Sequence, residues 1–255
     1  MKITFLGTGT SQGVPVIGCD CAVCRSLDFR DQRMRTSVHV AVGGKSLVID
    51  TGPDFRRQML NARVPTLDAV LFTHQHRDHT AGLDDVRPYN FRQGGELPIY
   101  GRREVLDQLR REYAYVFADE RYPGAPRLEP REISNALFEA EGVPVLPVDV
   151  VHYRLPVFGF RIGNFSYVTD AGAIAETEKE KLLGSEVLVL NALRHEPHPS
   201  HFTLSQALTL VEELRPERAY FTHISHLLGE HRQVEKTLPE GVQLAYDGLV
   251  VEVND

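Results

Sequence analysis

The amino-acid sequence predicts an α/β protein in which two sheet-and-helix halves face each other. Three observations lead there. Apolar runs of strand length alternate with segments of helical spacing from one end of the chain to the other. Two phrases recur about half a chain apart: a strand ending in aspartate near a glycine (VIDTG from Val48, YVTDAG from Tyr167) and a strand ending FTH (VLFTH from Val70, AYFTH from Ala219). Equivalent strand ends in a duplicated unit converge on one edge. With 255 residues, 42% of them hydrophobic and 25% charged, the chain can bury a full core as one large domain or two small ones.

Lys2 to Gly7 reads as a strand, followed by the small-residue loop GTGTSQG and a cysteine loop. TSVHVAV and KSLVID are strands separated by Gly43 and Gly44, a hairpin signal. The short helix FRRQMLNAR precedes the strand DAVLFT, which ends on a cluster of histidines. Residues 102 to 117 have helical spacing and paired charges, and 118 to 130, rich in proline, read as an irregular excursion. Strands return at VPVLPVDVVH, VFGFRIG and FSYVTD, then a helix around 176 to 183 and the strand EVLVLN. Thr203 caps the helix LSQALTLVEEL, which leads to the strand RAYFTH, a short helix near 230 and two closing strands.

The formal net charge of −7 argues against a broad nucleic-acid surface, which needs clustered Lys and Arg. An anionic substrate must therefore meet positive charge locally. The opening MKITFLGTGTSQG has one lysine and too short an apolar run for a signal peptide, and no later segment approaches a membrane span, so a cytoplasmic protein is expected. All three cysteines fall within six residues, which favours thiolate metal ligation over a disulfide framework.

The segment with the clearest chemistry is His74-Gln75-His76-Arg77-Asp78-His79, of the form HxHxDH, directly after an apolar strand. Imidazole and carboxylate are ligands for zinc, manganese and iron, and four of them in six residues can wrap two adjacent ions. Further ligands are needed to complete two sites. His152, Asp170 and His223 each close a later strand and supply them.

This order of residues resembles the metallo-β-lactamase superfamily over nearly the whole chain. The resemblance implies a single domain over residues 1 to 255, a four-layer αββα sandwich with two facing mixed sheets and helices outside, and metals at one edge. It implies that His74, His76 and His152 hold one divalent ion, that Asp78, His79 and His223 hold the other, and that Asp170 bridges them. A narrower resemblance, carried by GTGTSQGVPVIGCDCAVC and the later FTHISH, is to the PhnP-type cyclic phosphodiesterases. It implies a separate structural zinc held by Cys19, Cys21, Cys24 and His226, a closed donor set of the structural kind. His201, in the segment HFTL, matches the family's late HxxL, where a histidine outside the metal shell contacts substrate and protonates the leaving group. Its side chain suits that role because its ordinary pKa lies near working pH. His195 and His198 read as solvated loop residues. Asp50 and Asp54 lie near predicted strand ends; Asp50 reads as an acceptor that orients a ligand histidine, and Ser11 and Gln12 read as turn residues, with substrate contact as the alternative.

The expectation is a binuclear metal-dependent hydrolase, a phosphodiesterase of small and cyclic phosphodiesters working through a metal-bridging hydroxide, with Asp78 and His201 among its catalytic residues. The alternatives are an RNA-processing endonuclease of the tRNA 3′-processing type, a thioester or other ester hydrolase, and a binding module that keeps the fold without the chemistry. No lysine- or arginine-rich arm for RNA stands out, since the arginines of residues 102 to 131 are interleaved with acids. Zinc, manganese and iron all suit the active-site donors, and a homodimer is compatible with the chain.

Overall fold

In a computed structural model, which describes residues 1–120 and 122–254, alternate residues of single strands are sorted into different apolar layers. Leu47 and Ile49 point into one layer and Val48 into another, while Val187 and Val189 part in the same way from Leu188 and Leu190. Successive strand side chains face opposite sides, so a strand that is apolar throughout is buried on both faces.

Among the described residues, one sheet runs in the order Val250–Glu252, Lys2–Gly7, Ser37–Val42, Lys45–Ile49, Ala69–Leu71, Leu97–Gly101, Leu128–Glu132. The other runs Ala173–Ile174, Val143–His152, Leu155–Ile162, Phe165–Tyr167, Val187–Asn191, Arg218–Thr222, Val242–Leu244, with Phe138–Ala140 paired to Val143–His152. Both sheets are mixed, antiparallel at the hairpins and parallel beyond them. Phe5, Leu71 and Tyr100 of the first sheet pack between the layers with Phe158, Phe165 and Tyr167 of the second.

The outer faces carry helices. Phe55, Met59, Leu106 and Leu109 cover Val48, Val70 and Phe72 of the first sheet. Leu204, Ala207, Leu210 and Leu214, one stripe of the helix Leu204–Leu214, cover Leu188, Leu190 and Phe221 of the second. Burial of each such leucine contributes about 1.5–3 kcal/mol. The helix starts where expected: Thr203 Oγ1 accepts from Gln206 N at 3.2 Å and Gln206 Oε1 accepts from Thr203 N at 2.9 Å. The architecture is the expected αββα sandwich.

The helix read over residues 102 to 117 divides at Tyr113 into Arg103–Glu112 and Ala114–Phe117, and the Tyr113 hydroxyl donates to Thr80 O at 2.8 Å. Leu128–Glu132, at the end of the stretch read as irregular, is a strand; residue 121 of that stretch lies outside the described residues. The strand Leu97–Gly101 and the helix Arg87–Gln93 had no clear sequence signal, one being short and carrying Pro98, the other polar. Val250–Glu252 returns to pair with Lys2–Gly7, so the C-terminal strand joins the first sheet. No helix among the described residues is long and apolar enough to cross a membrane.

Candidate metal centres and active site

Parallel neighbours present their C-terminal ends at the same edge of a sheet. Asp50 and His74 follow the parallel strands Lys45–Ile49 and Ala69–Leu71, and Asp170 and His223 follow Phe165–Tyr167 and Arg218–Thr222. The loop after Ala69–Leu71 adds His76, Asp78 and His79, and the strand Val143–His152 ends on His152. Asp50, Asp170 and His223 adopt left-handed backbone conformations, with φ of 65°, 57° and 54°. Such strain concentrates at functional sites.

Three overlapping groups of donors result, one of His74, His76 and His152, one of Asp78, His79, Asp170 and His223, and one of His152, Asp170 and His201, with the ligand atoms of each within 4.8 Å of one another. Neighbouring groups fix which nitrogen His79 and His152 present. Asp50, fully buried, accepts from Thr73 N (2.9 Å) and Thr73 Oγ1 (2.8 Å), and its Oδ2 lies 2.7 Å from His79 Nδ1. His152 Nδ1 donates to Ser200 O at 3.1 Å, and Thr169 Oγ1 donates to Asp170 at 2.7 Å.

His79 Nε2 then faces Asp78 Oδ2 and Asp170 Oδ2, each at 3.2 Å. His223 Nε2 stands 3.1 Å from Asp170 Oδ1 and 3.8 Å from Asp78 Oδ2. His79 Nε2, both ring nitrogens of His223 and His201 Nδ1 are buried without a hydrogen-bond partner. Leaving one such atom unsatisfied costs about 1–3 kcal/mol. The convergence of His79 Nε2 and His223 Nε2 on the carboxylates of Asp78 and Asp170 is the arrangement a divalent cation satisfies, and the donor set fits zinc, manganese or iron.

The electrostatics agree. Burial raises the Asp170 pKa, but the charges of His223 and His79 outweigh it and hold the carboxyl well below its usual range. Burial lowers His79 and His223, yet Asp170 and Asp78 drive His79 well up and His223 to about 9. The positive charge that the carboxylates demand is carried there by protons on imidazole, which a bound divalent ion would replace. His74, facing no acid so closely, is pushed well below the usual histidine value by burial.

His201 stacks on His223 at 4.6 Å and meets His152 edge-on at 4.6 Å. Its Nδ1 is 3.9 Å from Asp170 Oδ1, so it borders the cluster. Burial, followed by the charge of His223, lowers its pKa to about 2. His198, read as solvated, is half-buried with its ring 5.1 Å from His201, and its Nδ1 accepts from Ser200 Oγ at 3.1 Å. His195 is exposed and pairs with Leu228 O at 3.0 Å. Arg194 ties down the loop between them by donating to Glu196 O and Pro197 O.

Apart from this edge, Cys19, Cys21 and Cys24 place Sγ at 3.4, 3.4 and 3.6 Å from His226 Nδ1. These match the roughly 3.6 Å S···N edge of a tetrahedron with ordinary Zn–S and Zn–N lengths. The thiols are free of disulfides. The Cys24 amide and His226 lower the Cys21 pKa to about 6, while burial raises Cys24 to about 11.

Ser11 and Gln12 are exposed, and Asp54 is engaged by Arg35 at 3.0 Å rather than by the cluster. Sequence reasoning missed Ser200, Thr169 and Thr36, whose Oγ1 accepts from His223 N at 3.1 Å. For Thr169 the available signal was the Thr before the final residue shared by YVTD, VLFTH and AYFTH; Ser200 and Thr36 carried none.

The comparisons with known proteins agree with this geometry. The beta-lactamase superfamily domain model matches residues 45–224. An octanoyltransferase of Porphyromonas gingivalis is 40% identical over the whole chain, which spans 52% of that protein, so the chain is about half the length of this relative. The crystal structure of a diphosphatase from the PhnP family is 42% identical, with TM-score 0.93 over 99% of this chain and 98% of that one. Zinc-bound PqqB from Methylobacterium extorquens, 19% identical, has TM-score 0.83 over 99% of this chain and 100% of that one and shares the fold. The chain therefore belongs to the beta-lactamase superfamily, with the metallo-β-lactamase fold, and resembles its PhnP-type members.

Proposed function

We propose that this chain is a binuclear metal-dependent hydrolase of small phosphoric esters, phosphodiesters and diphosphates included. The observation that carries the reading is the convergence of seven donors, two of them carboxylates, with unsatisfied imidazole nitrogens beside a further buried histidine, His201. Two divalent ions held there supply Lewis acidity and a lowered water pKa, and they bring the positive charge that the acidic chain lacks.

The side chains divide the remaining work. His74, His76 and His152 would hold one ion, Asp78, His79 and His223 the other, and Asp170 would serve both. Asp50 and Ser200 O keep His79 and His152 in the ligating orientation. Asp78, with its side chain 15% exposed against 3% for Asp170, is the carboxylate placed to receive a proton at the solvent side. His201 borders the cluster on the side of the loop 194–203, where a leaving-group oxygen can take its proton. An anionic substrate raises the proton affinity of that ring. Cys19, Cys21, Cys24 and His226 would hold a zinc that stabilises the loop carrying the cysteines, apart from the reacting site.

Similarity to the PhnP-family diphosphatase supports phosphoric esters over thioesters. A small substrate is favoured over RNA because several arginines between residues 77 and 131 face carboxylates: Arg77 faces Glu112, Arg110 faces Asp107, Arg131 faces Glu129 and Glu141, and Arg102 faces Asp149. Octanoyl transfer belongs to the name of a protein about twice as long and is not assigned to this chain.

The test is a panel of phosphodiesters, diphosphates, thioesters and short RNAs assayed with protein of defined metal content. Phosphoric esters should give the highest kcat/KM, and Asp170→Ala should abolish their turnover and weaken occupancy of both ions. A thioester or RNA preference, or an Asp170→Ala enzyme with normal rate and metal content, would overturn the proposal.

A further inference from the structure

We infer that the groove beside His76 and His152 is a subsite for a nucleotide-type substrate, with the base stacked on Tyr153 and a second phosphate held by Arg154. The inference rests on the phosphoric-ester reading above and names the substrate class.

Tyr153 and Arg154 form the two-residue turn between Val143–His152 and Leu155–Ile162, where His152 pairs with Leu155. Tight hairpin turns with positive φ favour Gly, Asn or Asp. Tyr153 nevertheless sits at φ 58°, at a cost of about 1–2 kcal/mol for an L side chain in that region. Core packing does not offset this cost, because the ring is 60% exposed. A strained, exposed aromatic next to a metal-ligand candidate is better explained by contact with a ligand than by stability.

The groove it borders has a volume of about 500 Å³ and is walled by His76, His152, Tyr153, Leu155, Pro199 and Ser200. That is room for a nucleoside-sized group. Two of its walls are ligand histidines, so a ligand in it lies against the metal cluster. Its only cation among the described lining residues is Arg154, whose Cζ lies 5.1 Å from the Tyr153 ring centroid. Arg35, Arg77, Arg102 and Arg131 all face carboxylates. Arg154 makes no hydrogen bond or ion pair among the described residues, which leaves its planar donors for an incoming phosphate. An apolar wall, an exposed ring, an uncommitted guanidinium and metal ligands in one groove match a base, a phosphate and a reacting phosphoryl group in one molecule. Stacking on an aromatic side chain is sequence-tolerant and adds about 1–3 kcal/mol per base.

The experiment is titration calorimetry of the zinc-loaded protein with AMP, ribose 5-phosphate and α,β-methylene ADP. AMP should bind about tenfold tighter than ribose 5-phosphate, and α,β-methylene ADP several-fold tighter than AMP. Tyr153→Gly, which the backbone tolerates at positive φ, should bring the AMP to ribose 5-phosphate ratio close to one without lowering Tm. Arg154→Gln should remove the preference for the second phosphate and leave the base preference. Equal wild-type affinities, or variants that keep the wild-type ratios, overturn the subsite. Phosphoric-ester hydrolysis without a base preference overturns the subsite alone, whereas failure to bind any of the three phosphates overturns the functional reading with it.

Discussion

Asp50 and Asp170 address opposite nitrogens of one imidazole: Asp50 Oδ2 lies 2.7 Å from His79 Nδ1 and Asp170 Oδ2 lies 3.2 Å from His79 Nε2. Both aspartates follow a strand in a left-handed conformation, yet their neighbours differ. The Asp50 strand lies directly beside the strand that leads to Thr73, whereas Val187–Asn191 separates the Asp170 strand from the His223 strand. Asp50 is therefore tied to Thr73 and His79, and Asp170 reaches the centre of the cluster.

Replacing Asp50 by Asn keeps its size and removes the charge that fixes the His79 tautomer. Metal affinity at the Asp78 and His79 site should fall about 10–100-fold, measured by chelator competition. Unchanged affinity would leave Asp50 with a purely structural role.

Cys21→Ser should remove one zinc per chain, as read by elemental analysis, and lower Tm by several degrees while the active-site metals stay bound. Metal binding that closes a contact between Cys21 and His226, 205 residues apart, favours the folded state. A variant with wild-type zinc content and Tm would remove the structural zinc from the description.

His201→Ala should retain both active-site metals and lose about 10²–10⁴-fold in rate on a diester with a poor alkoxide leaving group. The loss should shrink on an activated phenolate, which departs without a proton. Equal losses on both substrates would make His201 a binding residue, and no effect would direct attention to His198, packed 5.1 Å away.

His39 lies far from the metals, with its Nε2 2.8 Å from Ser46 Oγ. Burial, then the nearby charge of Lys2, lowers its pKa to about 4. Protonation is thus disfavoured in the folded state, so stability is intact above the unfolded value near 6.5 and declines as pH falls from there towards 4. The loss has an upper bound of about 3 kcal/mol. In chelated protein, His39→Gln should reduce the drop in the urea midpoint between pH 7 and 4.5; an identical drop would show that His39 does not govern it.

The chemistry of the site was legible because its ligands are chain-local. His74, His76, Asp78 and His79 lie in one loop of six residues, and His152, Asp170 and His223 stand out as polar ends of apolar strands. The α/β class was legible in runs such as VLVLN, which carry their two-faced burial in their composition, whereas the four-layer sandwich was implied by the family resemblance that the ligand residues carry. Short elements such as Leu97–Gly101 were not, because their pairing rather than their residues makes them strands. What the tertiary structure alone decided is which atom meets which. Asp50 meets His79 across 29 residues, Ser200 O meets His152 across 48, and Thr36 meets His223 across 187. The Tyr153–Arg154 turn carries no turn-forming residue type to mark it. Donor types and local spacing are properties of a segment, but the direction of a ring nitrogen and the groove beside it depend on packing between segments that the chain keeps far apart.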